Sequence, residues 1–195
     1  MAEAFDDDPG FTHIFPSPTA RLRVLPWFMG CAVRYVARLP SGVVMEERHQ
    51  TELVALSLAI EAPGRFRYGV GRMLAAGFGT APLRMSARSL SRFLTASTEN
   101  ERQHDEAQLD RHLYLAFLGT VPERQGRGHG SRLLQRFVEL ADERGLPAYL
   151  ENSNPANTGL YERYGFTTTR EWNLPDHGPR MLGMIRRVAK GSSFR

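Results

Sequence analysis

Apolar residues recur with two different spacings along this chain, and the pattern changes near residue 111. Before it, the spacing predicts a helix over residues 18 to 39, which Pro26 should start or kink. The apolar stretches "GVVMEE" and "ELVALSLAI" predict two strands that form a hairpin. Residues 63 to 104 are rich in arginine and mostly helical by spacing.

From residue 111 onward, strand and helix patterns alternate. The strands are "HLYLAFLGTV", "AYLEN", "FTTTREW" and "MLGMIRR", and helices over 128 to 144 and 155 to 164 separate the first three. Asn154 is a good N-cap, Pro155 suits the first helical position, and Gly165 ends the second helix. The alternation predicts an α/β (α+β) fold with at least one right-handed crossover between strands.

Composition limits the class of protein. With 195 residues, 42% of them hydrophobic, the chain is expected to form one domain over residues 1–195. No apolar run approaches the roughly 18 residues of a membrane span, and the acidic start "MAEAFDDDPGF" is unlike a signal peptide. Cys31, the one cysteine, is expected to be a buried packing residue in a reducing, cytoplasmic environment. These features argue against a membrane partner.

The net charge of +4 comes from arginines that are scattered and interleaved with acidic residues, as in "ERQHDEAQLDR". A nucleic-acid-binding surface would instead cluster its basic residues on one face. We therefore expect a solvated surface and no nucleic-acid partner.

A glycine-rich segment, "GTVPERQGRGHGS", connects the strand that begins near residue 112 to the helix over 128 to 144. Glycines at a helix N-terminus let an anion approach unpaired backbone N–H groups, and Arg124 and Arg127 add positive charge. The segment lacks the lysine of a P-loop, and Ser131 stands where a dinucleotide-binding loop has glycine. Taken alone, it is either an anion-binding loop or a glycine-rich turn.

Two motifs decide between these readings. The segment "QGRGHG" (125–130) matches the pattern Q/R-x-x-G-x-G/A, and "NPANTGLYERYGF" (154–166) matches N-x-x-A-x-x-L-Y-x-x-x-G-F. In this order and separation they resemble the GNAT acetyltransferase superfamily. The stretches "LGTVPERQGRGHGSRLL", "LPAYLENSNP", "LYERYGF" and "GPRMLGMIRR" are most similar to the branch that contains puromycin N-acetyltransferase.

The resemblance implies a GNAT fold, a mixed central sheet with two splayed parallel strands flanked by helices. Family members usually have a strand and most of a helix before the segment that matches "AFDDDP" here. We therefore expect either a sheet without its first N-terminal strand or a protein that starts upstream.

The resemblance also implies acetyl-CoA as co-substrate, bound where the two strands separate, and no metal. The pyrophosphate would lie on the backbone amides of 125–131, and the strand backbone would pair with the pantetheine arm. The implied cofactor-binding residues are Leu118, Gly119, Thr120, Gln125, Gly126, Arg127, Gly128, His129, Gly130, Ser131, Asn154 and Asn157. Asn154 could equally serve only as a helix cap.

Transfer of an acetyl group to an amine needs a proton acceptor for the amine and a proton donor for the departing thiolate. Tyr161 occupies the position that faces the sulfur in this family, and its phenol is a candidate general acid; the alternative is a core tyrosine. Tyr164 is expected to be a packing residue. Glu151 is a candidate general base or amine-binding residue, or else structural, and His112 or Tyr114 could relay a proton.

We therefore expect a direct N-acetyltransferase for a small-molecule amine, as a monomer or homodimer. Residues 1–110 would form the acceptor side, 111–188 the acetyl-CoA half, and 189–195 a tail. The acidic run Asp6–Asp8 could attract a cationic amine, although a solvated helix end is the simpler interpretation. Two alternatives stay open: a non-catalytic acyl-CoA-binding module and a protein or peptide N-acetyltransferase.

Overall fold

A computed structural model of the chain describes residues 2–64 and 67–188. The strands are β1 (Gly42–His49), β2 (Glu52–Ala62), β3 (His112–Thr120), β4 (Ala148–Asn152), β5 (Thr167–Asn173) and β6 (Arg180–Arg186). The α-helices are α1 (Pro9–Ile14), α2 (Pro18–Ala37), α3 (Val70–Ala76), α4 (Ala81–Arg84), α5 (Ala87–Glu106), α6 (His129–Glu143) and α7 (Thr158–Arg163). Short 3-10 turns occupy Ala2–Phe5, Phe78–Thr80, Pro122–Arg124 and Pro155–Asn157. The tail at 189–195 lies outside the described residues.

The six strands form one mixed sheet in the order β1-β2-β3-β4-β6-β5. The neighbours β3 and β4 run parallel, and the other neighbours run antiparallel. The predicted mixed sheet and the β1–β2 hairpin are therefore confirmed. Within the described ranges no strand precedes α1, and β1 lies at one edge of the sheet.

Helix α6 connects the two parallel strands and closes one face of the sheet. Leu133, Leu134 and Phe137 are completely buried, with Val138 and Ala141 beside them, because this spacing places all five on one side of the helix. They pack in one cluster with apolar residues of β3 and β4. This packing fixes the start of α6 relative to the end of β3.

Of the two alternatives predicted for Pro26, a helix start or a kink, the start is wrong. Helix α2 begins at Pro18, where Ser17 is the N-cap, and continues through Pro26 to Ala37. Pro26 leaves the carbonyl of Leu22 without its helical donor. Leu22 itself is 65% exposed, while apolar neighbours such as Leu25 and Phe28 are buried in the core.

The opposite face of the sheet carries α1, α2 and the helices α3 to α5, in the segment predicted to be mostly helical. Their apolar residues form two further clusters, one of them rich in phenylalanine. No helix within the described residues combines the length and apolar character needed to cross a bilayer.

Replacing Phe137 with alanine should destabilise the protein by about 3–5 kcal/mol, because the ring is fully buried and its loss leaves a cavity between α6 and the sheet. Urea denaturation followed by circular dichroism measures the change. Gln135→Ala, an exposed position on the same helix, should stay within about 0.5 kcal/mol of the wild type. Equal losses for the two variants would contradict the assigned packing face.

Candidate active site

The parallel strands β3 and β4 separate after a short paired stretch. They pair only at Leu113–Ala148, Tyr114–Tyr149 and Leu115–Leu150. Beyond this point β3 continues to Thr120 paired with β2 alone, and β4 continues to Asn152 paired with β6 alone. The segment of β3 that includes Leu118, Gly119 and Thr120 therefore has no strand partner on its β4 side. Such backbone groups need another hydrogen-bonding partner, such as an extended ligand.

The glycine-rich loop lies at the open end of these strands. Gly126 and Gly128 have φ angles of 71° and 80°, a left-handed conformation that glycine adopts without strain. Gly128 is the N-cap of α6 and, having no side chain, leaves the first amides of the helix without a side-chain cap. A Cβ atom on Gly130 would lie 3.2 Å from Thr120 Oγ1, so the helix start lies directly against the end of β3.

The side chains of this loop mostly fold back onto the protein. Gln125 Nε2 donates a hydrogen bond of 3.1 Å to the carbonyl of Thr120. His129 is 7% exposed, and its Nδ1 lies 2.6 Å from Arg132 Nη2 and 3.5 Å from Glu47 Oε1. The side chain of Arg127 is exposed and has no ion-pair partner among the described residues. A ligand at this loop would therefore meet mainly backbone N–H groups.

A cavity of about 460 Å³ opens beside the separated strands. Residues from α1, α2, β3, β4, α5 and α7 line it. The predicted site residues Leu118, Glu151, Asn157 and Tyr161 are among them. The structure thus brings both candidate catalytic residues to one cavity at the point where β3 and β4 separate.

Glu151 is held by two phenols. Tyr114 donates a hydrogen bond of 3.2 Å to Oε2, and Tyr149 donates one of 3.3 Å to Oε1. Burial raises the pKa of Glu151 to about 8, although both hydrogen bonds act in the opposite direction. No basic side chain within the described residues pairs with this carboxyl group. Glu151 can therefore exchange a proton near neutral pH.

Tyr161 lies on α7 with 8% of its surface exposed. Its ring packs edge-to-face on Phe166, with the centroids 6.2 Å apart, and its hydroxyl has no hydrogen-bond partner among the described residues. Burial raises the pKa of Tyr161 to about 12, and the charge of Asp8 adds to the effect. The phenol therefore keeps its proton at neutral pH and is weaker as an acid than a thiol.

Comparison with known proteins agrees with this geometry. Residues 92–166, which run from within α5 to just beyond α7, match the model of the Acetyltransferase (GNAT) family. This segment is therefore similar to the GNAT family. The chain is also 30% identical over 79 residues to an uncharacterized N-acetyltransferase of Schizosaccharomyces pombe, a match that covers 40% of this chain. The chain spans about a third of that relative's length (32%).

Solved structures show the same fold. A protein described as histone acetyltransferase HPA2 and related acetyltransferase, from Corynebacterium glutamicum, superposes with a TM-score of 0.64 at 23% identity, over 98% of this chain and 88% of that one. Drosophila melanogaster polyamine N-acetyltransferase gives a TM-score of 0.55 at 13% identity, over 74% of each chain. The predicted GNAT fold is confirmed. The similarity to the puromycin N-acetyltransferase branch stays a prediction.

The two asparagines predicted to bind the cofactor, Asn154 and Asn157, occupy different environments. Asn154 Oδ1 accepts a hydrogen bond of 3.1 Å from the N–H of Ala156, so Asn154 caps the turn before α7. Its own N–H donates to Asn152 Oδ1 at 3.1 Å. Asn157 lies just before α7 and lines the cavity. The capping interpretation of Asn154 is therefore observed, while contact of either residue with a cofactor stays a prediction.

His112 and Tyr114, the two candidate proton relays, have different partners. Tyr114 reaches Glu151, whereas His112 points its Nε2 at His104 Nε2, 2.7 Å away, and its Nδ1 at the carbonyl of Asp110, 2.8 Å away. Burial lowers the pKa of both histidines, that of His104 to about 3. The pair is therefore neutral, and Tyr114 is the residue placed to act on Glu151.

Asp8 is a cavity residue from the acidic run that was interpreted either as a solvated helix end or as a group that attracts a cationic amine. Its Oδ1 accepts hydrogen bonds from the N–H groups of Gly10 and Phe11 (2.9 and 3.2 Å), and Ser153 Oγ donates to Oδ2 at 2.7 Å. Burial raises its pKa in spite of these donors. Asp8 thus caps α1 and faces the cavity instead of free solvent, while Asp6 pairs with Arg21.

Sequence reasoning also missed Tyr149 and His104. Tyr149 stands two residues before Glu151 on β4, so strand alternation alone could have placed both on one face. His104 comes from α5, and its position against Tyr149 (ring centroids 4.6 Å apart) depends on the packing of distant segments. Within the described residues, no group of three or more His, Cys, Asp or Glu side chains is arranged to hold a metal ion.

The raised pKa of Glu151 makes stability depend on pH. Between its ordinary value of 4.5 and about 8, the folded state binds the proton more tightly than the unfolded state, so this contribution to stability is lost as pH rises through that window. Glu151→Gln should therefore stabilise the protein by about 1–3 kcal/mol at about pH 9 and much less at about pH 5.

Thermal unfolding at the two pH values measures this difference. Glu143→Gln, an exposed position at the end of α6, serves as the control and should show nearly the same small change at both. A Glu151→Gln variant whose change in stability is the same at both pH values would contradict the assigned burial of this carboxyl group.

Proposed function

We propose that the chain is an acetyl-CoA-dependent N-acetyltransferase that transfers the acetyl group directly to the amine of a small molecule. One observation carries the proposal: the separation of β3 and β4 opens onto the cavity that holds Glu151 and Tyr161. The family match to residues 92–166 supports the reaction class.

The described residues fit acetyl-CoA. The uncapped amides at the start of α6 are suited to a pyrophosphate, because a helix N-terminus favours negative charge. The β4-facing backbone groups of β3 between Leu118 and Thr120, which have no strand partner, would pair with the amides of the pantetheine arm. Acetyl-CoA supplies the acetyl group as a thioester.

Glu151 and Tyr161 would divide the proton transfers between them. An acceptor enters as an ammonium and must lose one proton before its lone pair can attack; Glu151 accepts that proton and later releases it to solvent. As the new C–N bond forms and the C–S bond breaks, the nitrogen loses a second proton. Tyr161 donates its proton to the departing sulfur. The second proton from nitrogen then returns to the Tyr161 oxygen.

The volume of the cavity favours a small acceptor over a protein chain. A volume of about 460 Å³ lies in the range of pockets that surround small ligands. The Drosophila neighbour is named as a polyamine N-acetyltransferase, which is consistent with an amine acceptor, although that likeness concerns the fold.

The glycine loop provides a matched test of cofactor binding. Gly126→Glu should weaken acetyl-CoA binding at least about tenfold, because it places a carboxylate beside the uncapped amides. Gly145→Glu is the control: Gly145 also has a positive φ (62°, against 71° at Gly126), and a Cβ at either position would meet no neighbouring atom. Isothermal titration calorimetry measures both affinities. Equal weakening in the two variants would mean that the loop does not bind the cofactor.

Tyr161→Phe should lower kcat by about 100-fold while changing the Kd for acetyl-CoA by less than about twofold, since the phenol acts only in proton transfer. Tyr164→Phe, on the next turn of the same short segment, should retain nearly full activity because Tyr164 packs against the core. Release of free CoA with a panel of amines measures turnover.

Two outcomes would redirect the assignment. A wild-type protein that binds acetyl-CoA but acetylates no amine would be a binding module. Acetylation of peptides alone would assign a protein N-acetyltransferase.

A further inference from the structure

The inner wall of the cavity is built from interlocked phenylalanine rings. The ring of Phe28 makes edge-to-face contacts with Phe11, Phe93 and Phe117, with centroid distances of 5.3, 5.5 and 6.2 Å. All four rings line the cavity, and they come from α1, α2, α5 and β3. Rings packed against each other in this way cannot easily turn aside to admit water. The part of a ligand that lies against them must therefore be apolar.

The acidic side chains that line the cavity are not matched by basic ones among the described residues. Its lining includes Asp8, Glu101 and Glu151, and no arginine or lysine among the residues that the structure describes. An anionic group on a ligand would lose its hydration there without gaining a cationic partner, which is costly. The cavity therefore disfavours acceptors that carry a carboxylate or phosphate.

Two of the three carboxyl groups already have donors from the chain itself. Asp8 accepts three hydrogen bonds, from two backbone N–H groups and from Ser153. Glu101 accepts one from the N–H of Tyr68 (3.2 Å) and lies 3.6 Å from Arg67 Nε. Glu151 receives only the two phenols and has no cationic partner within the described residues. Only one position in this lining therefore offers a carboxylate to a ligand ammonium.

We infer that the acceptor is a primary amine with a single positive charge on a compact aromatic or similarly apolar body. This inference rests on the proposed function, since it places the reacting nitrogen at Glu151. The ammonium pairs with Glu151, and the body lies against the phenylalanine rings. A polyamine would bring a second ammonium to an apolar wall, and an amino acid would bring a carboxylate beside acidic groups.

Two matched pairs of amines test the inference. L-Phenylalanine differs from phenethylamine by one carboxylate, and hexamethylenediamine differs from hexylamine by one ammonium. We expect kcat/KM to be at least about tenfold lower for phenylalanine than for phenethylamine, and for hexamethylenediamine than for hexylamine, because the added charge is desolvated without a partner. Equal or better acetylation of phenylalanine or of the diamine would overturn the inference and leave the proposed function intact.

An additional carboxylate in the cavity wall should weaken the preference for amines with a single charge. Ser97 lies on α5 and lines the cavity, so Ser97→Asp should raise the kcat/KM for hexamethylenediamine relative to hexylamine at least about threefold. Ser91→Asp, an exposed position on the same helix, should leave the ratio unchanged. An unchanged ratio in a folded Ser97→Asp variant would contradict the position assigned to the amine body.

If the wild type acetylates none of these amines, their binding affinities still test the inference. Calorimetric titration of the same four compounds into the acetyl-CoA-saturated protein should then rank phenethylamine above phenylalanine and hexylamine above the diamine. That ranking would support the inferred ligand class and reject the acetyl transfer. The inference would be overturned if neither phenethylamine nor hexylamine bound, or if the ranking were reversed.

Discussion

The separation of β3 from β4 after three residue pairs is the constraint on which the site depends. Each strand keeps its other neighbour, β2 or β6, so the sheet stays continuous while one ladder opens. Helix α6 starts beside the end of β3, because Gly130 allows close contact with Thr120. Unpaired strand backbone and uncapped helix amides therefore meet at one opening, and both need a ligand with acceptors for their N–H groups.

The neighbours of Glu151 explain how a carboxyl group at this opening can remain a proton acceptor. A nearby guanidinium would lower its pKa and keep it ionised. Two phenols hold it instead, and the buried histidine pair close to their rings is neutral. Gly183 lies opposite Glu151 on β6, where a Cβ atom would come within 3.3 Å of Tyr149 Oη. Glycine at this position leaves room for that phenol to reach the carboxyl group.

Local patterns allowed much of the second half of the chain to be predicted. The alternating strands, the glycine loop and the turn that begins at Asn154 are each specified by neighbouring residues, and the structure has all of them. The first half was harder, because its outcome depends on packing. Helix α2 continues through Pro26 since buried neighbours hold it, and Asp8 reaches the cavity because α1 packs beside Ser153, a residue 145 positions away in sequence. The spacing of residue types along the chain does not predict such contacts between distant residues.

The same difference separates what the family match explains from what it leaves open. The matched segment, 92–166, includes the glycine loop, Glu151 and Tyr161, whereas the rings of Phe11 and Phe28 come from α1 and α2, before that segment begins. Hydrogen bonds from backbone groups to a cofactor depend little on the side chains around them. A short motif is therefore enough to specify such a binding site. An acceptor cavity is shaped by side chains from several elements, and a single ring or carboxyl group there changes which amine can bind. The proposed acceptor specificity would therefore depend mainly on contacts that the recognisable motifs do not contain.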